Sequence, residues 1–498
     1  MGEICQPGRT PTAGGLQKEG SAVARYTLQR IAARWLHGRS GRTGPYIIMG
    51  GHMSLEKRAP AGAVAALLAA VSCIGAHPAL ADAPGYDVQL WATHSDNIQR
   101  EPGGTADTIG IAELGFVWHD KAPWLDSDID LDLAHEHYFQ NSYGDDTIGD
   151  FIGQERLKLG DILAWDFADN FGQARIDPLA PITPANRENI NYFATGPRLA
   201  LPLGGETQLN ASAQYGEVDY QHTPLDNTRV TGVIGLQHNI SALTDISINA
   251  KDERIDFKDD QLNPDYTRPE AFARFETKGS RTELELDAGY GRLDLPGSRN
   301  SSPVGHIELT RRLSGNSTIG IELGHDYSDG ADWFRAVQAL GGAGLTTLSA
   351  LQAGAPFLHT YGTLAWNFQL ARTTVGFNGS YFRNRYQEDA VLNNELTVVN
   401  ALVDRRITPV LDLALTEYLV RQQFDDSDET ATEADTGLQL TWHVGEHLSI
   451  YFSYFFDKAN SNVRADSFTE NRVSLIIGWG HAAAVAPGPA PLRLPPLQ

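Results

Sequence analysis

Polar and apolar side chains alternate along much of this chain with a period of two. From Trp124 to Phe139, Asp126, Asp128, Asp130 and Asp132 stand at every second position, with Leu125, Ile129, Leu131 and Leu133 between or beside them. Side chains at i, i+2 and i+4 share one face of a strand, whereas a helix would spread this pattern around its circumference. The pattern recurs: Leu284, Leu286, Ala288 and Tyr290 oppose Glu283, Glu285 and Asp287, and Leu364, Trp366, Phe368 and Leu370 oppose Thr363, Ala365, Asn367 and Gln369. Leu438, Leu440 and Trp442 then oppose Gln439, Thr441 and His443, and residues 448–456 and 473–479 repeat the alternation. Eighteen to twenty such segments lie between about residues 86 and 479, the spacing of long strands in an up-and-down meander.

Connections between the segments alternate in length. Short breaks near Lys121, Gly204, Ser241, Gly315, Ala371, Arg406 and Gly445 take turns with longer polar stretches that start near residues 97, 141, 173, 258, 296, 328 and 423. One rim then carries turns and the other carries loops, as in an all-β, closed, antiparallel up-and-down transmembrane barrel of the bacterial outer membrane. A secreted soluble sandwich or propeller is the competing architecture. Against it stand segments of 10–14 residues, long enough to cross a bilayer when tilted, where soluble strands average about 5–6. Trp118, Trp124, Trp442 and Trp479 also lie beside the short turns, where an interfacial aromatic girdle belongs. Splitting residues 154–172 at Leu159–Gly160 yields 20 strands, and leaving them joined or discounting the first yields 18 or 19. In a bilayer every backbone polar group must be paired internally, so a closed sheet with a wet interior is required; the leucines then face lipid and the aspartates face the lumen.

The N-terminal region changes the bulk picture. Lys57 and Arg58, a short small-apolar stretch, and Ala79-Leu80-Ala81 before Asp82 form a cleavable secretory signal over residues 53–81, with residues 1–52 an upstream leader outside the mature protein. The barrel is expected over 82–479, and the Pro/Ala-rich segment 480–498 as a disordered tail. Cys5 and Cys73, the only two cysteines among 498 residues, precede Asp82, which excludes disulfide frameworks, cysteine-ligated metals and thiol catalysis in the exported part. Without the nine basic and three acidic residues before Asp82, 30 basic and 59 acidic side chains remain, a formal charge of −29. Nucleic acid is excluded as a partner, because phosphate contacts need a basic footprint.

Residues 169–197 ("DNFGQARIDPLAPITPANRENINYFATGP"), 95–102 ("SDNIQREP") and 311–330 ("RRLSGNSTIGIELGHDYSDG") resemble poorly characterised outer-membrane barrels of the porin type, some of them associated with exopolysaccharide or exosortase systems. The resemblance covers about Tyr86 to Trp479 and implies an outer-membrane location and a role in moving or anchoring a surface polymer. It implies no catalytic residues. Such barrels commonly end on an aromatic residue, whereas here Trp479 is followed by the tail, which places the signal read by the insertion machinery inside the chain.

Several groups are candidates for function. Asp126, Asp128, Asp130 and Asp132, with Glu283, Glu285 and Asp287, suit an acidic luminal stripe that sets cation preference, the alternative being an ordinary polar lumen balanced by arginines. Trp333, Phe334, Val337 and Leu340 are spaced as a short helix in the least polar long loop, which would fold inward as a gate or pack as an ordinary surface loop. Arg175, Asp177 and Arg187 would contact lipopolysaccharide or a polymer, or else bridge within their own loop. Residues 425–429 ("DDSDE") offer carboxylates but lack a calcium-loop pattern. His135 and His137 fall on the opposite face from Glu136, and no catalytic, cofactor or metal motif stands out among the 15 histidines. The expected function is a passive porin-like conduit or a component of surface polysaccharide export, without cofactor. Its partners would be outer-membrane lipid, lipopolysaccharide, the barrel-insertion machinery and export components. The alternatives are a structural or adhesive barrel with a blocked lumen, and an outer-membrane hydrolase.

Overall fold

The computed structural model describes residues 84–177, 180–259, 261–339, 354–425, 429–463 and 466–481. The leader and signal segments expected over 1–81, and the tail beyond residue 481, lie outside the described residues.

The alternating segments form strands β1 (Gly85–Ser95), β2 (Asp107–Lys121), β3 (Leu125–Tyr138), β4 (Asp146–Lys158), β5 (Leu163–Arg175), β6 (Arg187–Gly204), β7 (Thr207–Tyr220), β8 (Asn227–Ser241) and β9 (Thr244–Phe257). They continue as β10 (Tyr266–Thr267), β11 (Glu270–Lys278), β12 (Thr282–Leu295), β13 (Ser298–Ser314), β14 (Ser317–Ser328), β15 (Phe357–Gln369) and β16 (Thr373–Tyr386). The last are β17 (Asn394–Thr408), β18 (Leu411–Phe424), β19 (Thr430–His443), β20 (Leu448–Ser461) and β21 (Phe468–His481). A single described α-helix, α1 (Gly330–Ala339), follows β14.

Successive strands pair antiparallel, and β1 pairs with β21 from Tyr86 opposite His481 to Ser95 opposite Arg472, so the sheet closes. β10 and β11 share one position between β9 and β12, interrupted at Arg268-Pro269, where proline has no N–H to give the ladder. Twenty staves therefore surround the lumen, an even number, and the break expected at Leu159–Gly160 is the turn between β4 and β5.

The rims differ as the sequence implied, with one exception. Residues 296–302 were expected as a long loop, but Pro296–Gly297 alone turns the chain, and β13 resumes at Ser298. Proline presets the first turn position, and Gly297 takes φ +89° at the second, which an L side chain rarely adopts.

Register decides which side chains meet lipid. Leu236, Ile248, Leu364, Leu415, Leu438, Phe452, Leu475 and Ile477 are exposed on the outward face, Ile248 by 72%. In a monomer in water this apolar band would be untenable; in hydrocarbon it is the favourable state. Trp165, Trp366, Trp442 and Trp479 are exposed on the same face near the short-turn rim. Not every outward residue is open: Ile129 is buried beside its cross-strand partner Trp118, in a cluster with Leu125 and Phe151. A closed barrel with this belt is an outer-membrane protein, with its short turns toward the periplasm.

Candidate functional site

The interior is crossed by α1. Asp329, just before the helix, accepts the N–H groups of Ala331 and Asp332 on Oδ1 at 2.9 and 3.1 Å, which caps the first turn. From that start, Trp333 and Val337 are buried with Phe357, Phe382, Leu396, Val398 and Val420, side chains of β15 to β18. The Trp333 ring meets Phe382 edge-on at 4.6 Å. Ala331 and Phe334 are buried with Ala174, Ile190, Tyr192 and Val218, which belong to β5, β6 and β7. β6 and β17 stand ten positions apart in a ring of twenty, so α1 touches opposite walls. Between these two walls the gap is filled by one helix with its side chains, about 10–12 Å across.

The N-terminal end of α1 is fixed by charge. Arg229 lies 2.9 Å from Asp329 and 3.2 Å from Asp332, while Arg268 lies 2.7 Å from Asp332 and 2.6 Å from Glu253. The Tyr266 hydroxyl donates to Asp329 at 2.7 Å, and Lys251 stands 3.8 Å from Glu253. Three cations thus face three carboxylates. Burial on its own would raise the Asp329 carboxyl, but Arg229 and Arg268 beside it hold it well below the usual carboxylate range. Arg268 is likewise buried, among Glu253, Asp332 and Asp329.

The C-terminal end is held differently. Asn170 donates to Gln338 Oε1 at 3.1 Å, and Gln338 Nε2 donates to the Phe171 carbonyl at 2.6 Å. These are neutral contacts with β5, and Gln338 Nε2 also lies 3.5 Å from Asp150 Oδ1 on β4. Arg335 lies over the Tyr192 ring at 4.4 Å.

Loops at the same rim are also tied inward. Arg100, in the β1–β2 loop, reaches Glu470 at 2.8 Å, Asp457 at 3.2 Å and the Ile182 carbonyl at 3.4 Å. It does so from a left-handed backbone, φ 54°, which costs about 1 kcal/mol for a residue with a Cβ. Burial opposes its charge, and the three carboxylates Glu470, Asp457 and Glu433 overcome that.

Below this level the wall is acidic and wet. Asp128, Asp130 and Asp132 face inward on β3 yet are exposed, so water reaches them. Asp126 pairs with Lys158 and Asp128 with His119, each at 2.6 Å. Glu283, Glu285 and Asp287 face the lumen from β12, well around the ring, so the two halves of the expected stripe do not meet. What joins Glu285 instead is a row that no single segment displays. Asp245 stands opposite Glu276, Glu276 opposite Glu285, Glu285 opposite Glu308, and Glu308 opposite Glu322, on five consecutive staves. Like charges directly opposite are unfavourable, by roughly 0.2–1 kcal/mol a pair. Arg274 offsets part of this, 2.9 Å from Glu285 and 2.7 Å from Asp287, as do Lys278 beside Glu276 and His306 at 3.3 Å from Glu322.

Glu285, Asp287 and His306 lie close enough to share a cation, but the Arg274 guanidinium already occupies both carboxylates. Ser449, His443 and Asp412 form a line, with 3.0 Å from Ser449 Oγ to His443 Nδ1 and 2.9 Å from His443 Nε2 to Asp412. Acyl transfer also needs free donors for an oxyanion, and the strand backbone around Ser449 is engaged in the β19–β20–β21 ladder; the line is a cross-strand polar chain. Arg175 binds Glu433 on β19 at 3.4 Å, and Arg187 binds Glu136 on β3 at 2.6 Å and Asp146 on β4 at 3.1 Å. The Asp177 backbone is held by the Asn186 side chain. Glu136 faces inward, and His137 faces out to Asp145. Leu340 and residues 426–428 lie outside the described residues. Sequence reasoning missed Arg100, Arg229, Glu253, Arg268, Asp329 and Asp332, whose partners are far apart in the chain.

No protein-family model matches the sequence, and no curated protein matches it. Solved structures with a similar course include a ferric enterobactin receptor from Pseudomonas aeruginosa, at 10% identity, TM-score 0.43 and coverage of 80% of each chain. The siderophore receptor PirA from Acinetobacter baumannii is similar at 10% identity and TM-score 0.42 over 81% of each chain. The FrpB iron transporter from Neisseria meningitidis is similar at 8% identity and TM-score 0.39, over 80% of this chain and 81% of that one. These superpositions are too loose to carry any substrate across to this protein.

Proposed function

We propose that the protein is a passive outer-membrane conduit for small cationic solutes. The supporting observation is the excess of carboxylates on the inner faces of β3, where Asp128, Asp130 and Asp132 are exposed, and of β9 to β14, where Glu308 and Glu283 have no cation within ion-pair distance among the described residues. A wall of one charge concentrates counter-ions and repels co-ions. Export of a surface polysaccharide, the finer expectation from the family resemblance, fits this wall for a neutral or cationic polymer, because an anionic one would be repelled along its length. The reading requires no catalytic residue.

Planar-bilayer recording in a salt gradient tests it. A reversal potential on the cation side supports the conduit; a potential near zero, or on the anion side, overturns it. A second reading, a structural or adhesive barrel with a permanently blocked lumen, draws support from α1 between the walls and predicts an inserted barrel silent in every variant.

A further inference from the structure

We infer that α1 is a pivoting stopper, fixed at Asp329 and detachable at Gln338. The inference rests on the conduit reading and adds what closes it. Its basis is the unequal attachment of the two ends of one helix. At the first end, Asp329 is buried, caps the helix, and is held by Arg229 and by the Tyr266 hydroxyl at 2.9 and 2.7 Å. Leaving any of these groups unpaired in the interior is strongly unfavourable, so this end stays in place. At the second end, Gln338 makes neutral hydrogen bonds to Asn170 and to the Phe171 carbonyl and a long one, 3.5 Å, to the Asp150 carboxylate; no ion pair fixes it, and water replaces these contacts once the end is lifted. Between the ends, Trp333 and Val337 are buried against one wall and Phe334 against the opposite one, so the helix is wedged between them. A swing about Asp329 that lifts Gln338 off β5 withdraws Phe334 from Ala174, Ile190 and Val218 and opens a path along that wall. The resting state is closed, because apolar burial favours it.

The segment 84–481 contains no cysteine, so an introduced pair reports cleanly. A Cβ at Gly172 would stand 2.6 Å from Gln338 Nε2, the tip of that side chain, which places thiols at these two positions within the span of a short bis-thiol cross-linker. The experiment compares single-channel recordings of the wild-type chain, Phe334→Ala with Gln338→Ala, and Gly172→Cys with Gln338→Cys, each shown to be folded by heat-modifiable migration. The alanine variant should raise open probability at least tenfold, the factor that two lost neutral hydrogen bonds alone carry. Joining the cysteine pair with a short, reducible bis-thiol cross-linker should silence the channel, and reductant should restore it. Unchanged open probability in the folded alanine variant, or full conductance with the cross-link formed, overturns the stopper. The two readings fail separately: an opened variant without cation preference sinks the cationic conduit and leaves the stopper standing. A cation-selective channel indifferent to the cross-link does the reverse.

Discussion

Trp333 and Phe334, neighbours in sequence on one short helix, are buried against opposite walls of the barrel, Trp333 on Phe382 and Phe334 among Ala174, Ile190 and Val218. Successive helical residues point about 100° apart, so a single turn can serve two surfaces only where those surfaces close in on it. The contact makes α1 part of the wall packing, unlike a surface loop that happens to lie nearby.

Truncating either ring should therefore loosen the helix without dissolving the barrel. Phe→Ala or Trp→Ala at a packed site costs about 3–5 kcal/mol, against a sheet held by twenty hydrogen-bonded seams. Arg335 lies on the helix over Tyr192 and offers a tryptic site that only a displaced helix exposes. Phe334→Ala and Trp333→Ala should be cut after Arg335 at least tenfold faster than the wild type while the barrel keeps its folded migration. Equal protection in all three would show that the rings do not hold the helix.

The anchor makes a separate prediction. Arg268→Ala leaves Glu253, Asp329 and Asp332 facing only Arg229 and Lys251, and removing one partner from a buried charge network costs about 3–5 kcal/mol. The temperature at which the barrel loses its folded migration should fall. Arg268→Lys should recover only part of the loss, since an ammonium cannot span Glu253 and Asp332 as the guanidinium fork does. A variant as heat-resistant as the wild type would mean that the network contributes little.

How much of this was visible in the chain follows from the range of each interaction. Strand faces, the short-turn rim, the turn after Leu159 and the helical spacing of Trp333, Phe334 and Val337 are local patterns, and each appears where period and turn chemistry put it. The turn at Pro296–Gly297 was also local, but the serines and Asn300 after it looked like loop and proved to be strand, because pairing with β12 outweighs their low β preference. The carboxylate row was illegible for another reason. Asp245, Glu276, Glu285, Glu308 and Glu322 become neighbours only when four registers are known, and one residue of slip in any of them would turn half the row toward lipid. The partners of Arg229 lie a hundred residues away at Asp329 and Asp332, a distance over which alternation carries no information.

Charge preference should depend on the two acidic arcs separately. Replacing Asp126, Asp128, Asp130 and Asp132 together by Asn removes four carboxylates from β3, of which Asp126 and Asp128 are already paired with Lys158 and His119. The reversal potential should move toward zero without a change of sign, because the arc from Asp245 to Glu322 remains. Glu276→Gln with Glu308→Gln should move it further in the β3 variant. An unshifted potential in the combined variant would remove the carboxylates from any role in selectivity.

Acid is the last lever, and its direction follows from Asp329. Its carboxyl titrates below the ordinary value of about 3.9 because Arg229 and Arg268 overcome the opposing effect of burial. A carboxylate with a depressed folded value contributes its full stability above the unfolded value and loses it only as pH falls through the lower one. The pivot should thus hold unchanged from about pH 8 down to about pH 4.5, and weaken only in stronger acid. Arg268 remains charged throughout that window, as a guanidinium does at any pH below about 12. Tryptic protection of Arg335 is measurable only near neutral pH, so channel silence is the suitable readout across the range. A channel that opens between pH 5 and 6 would place the controlling proton on some group other than Asp329.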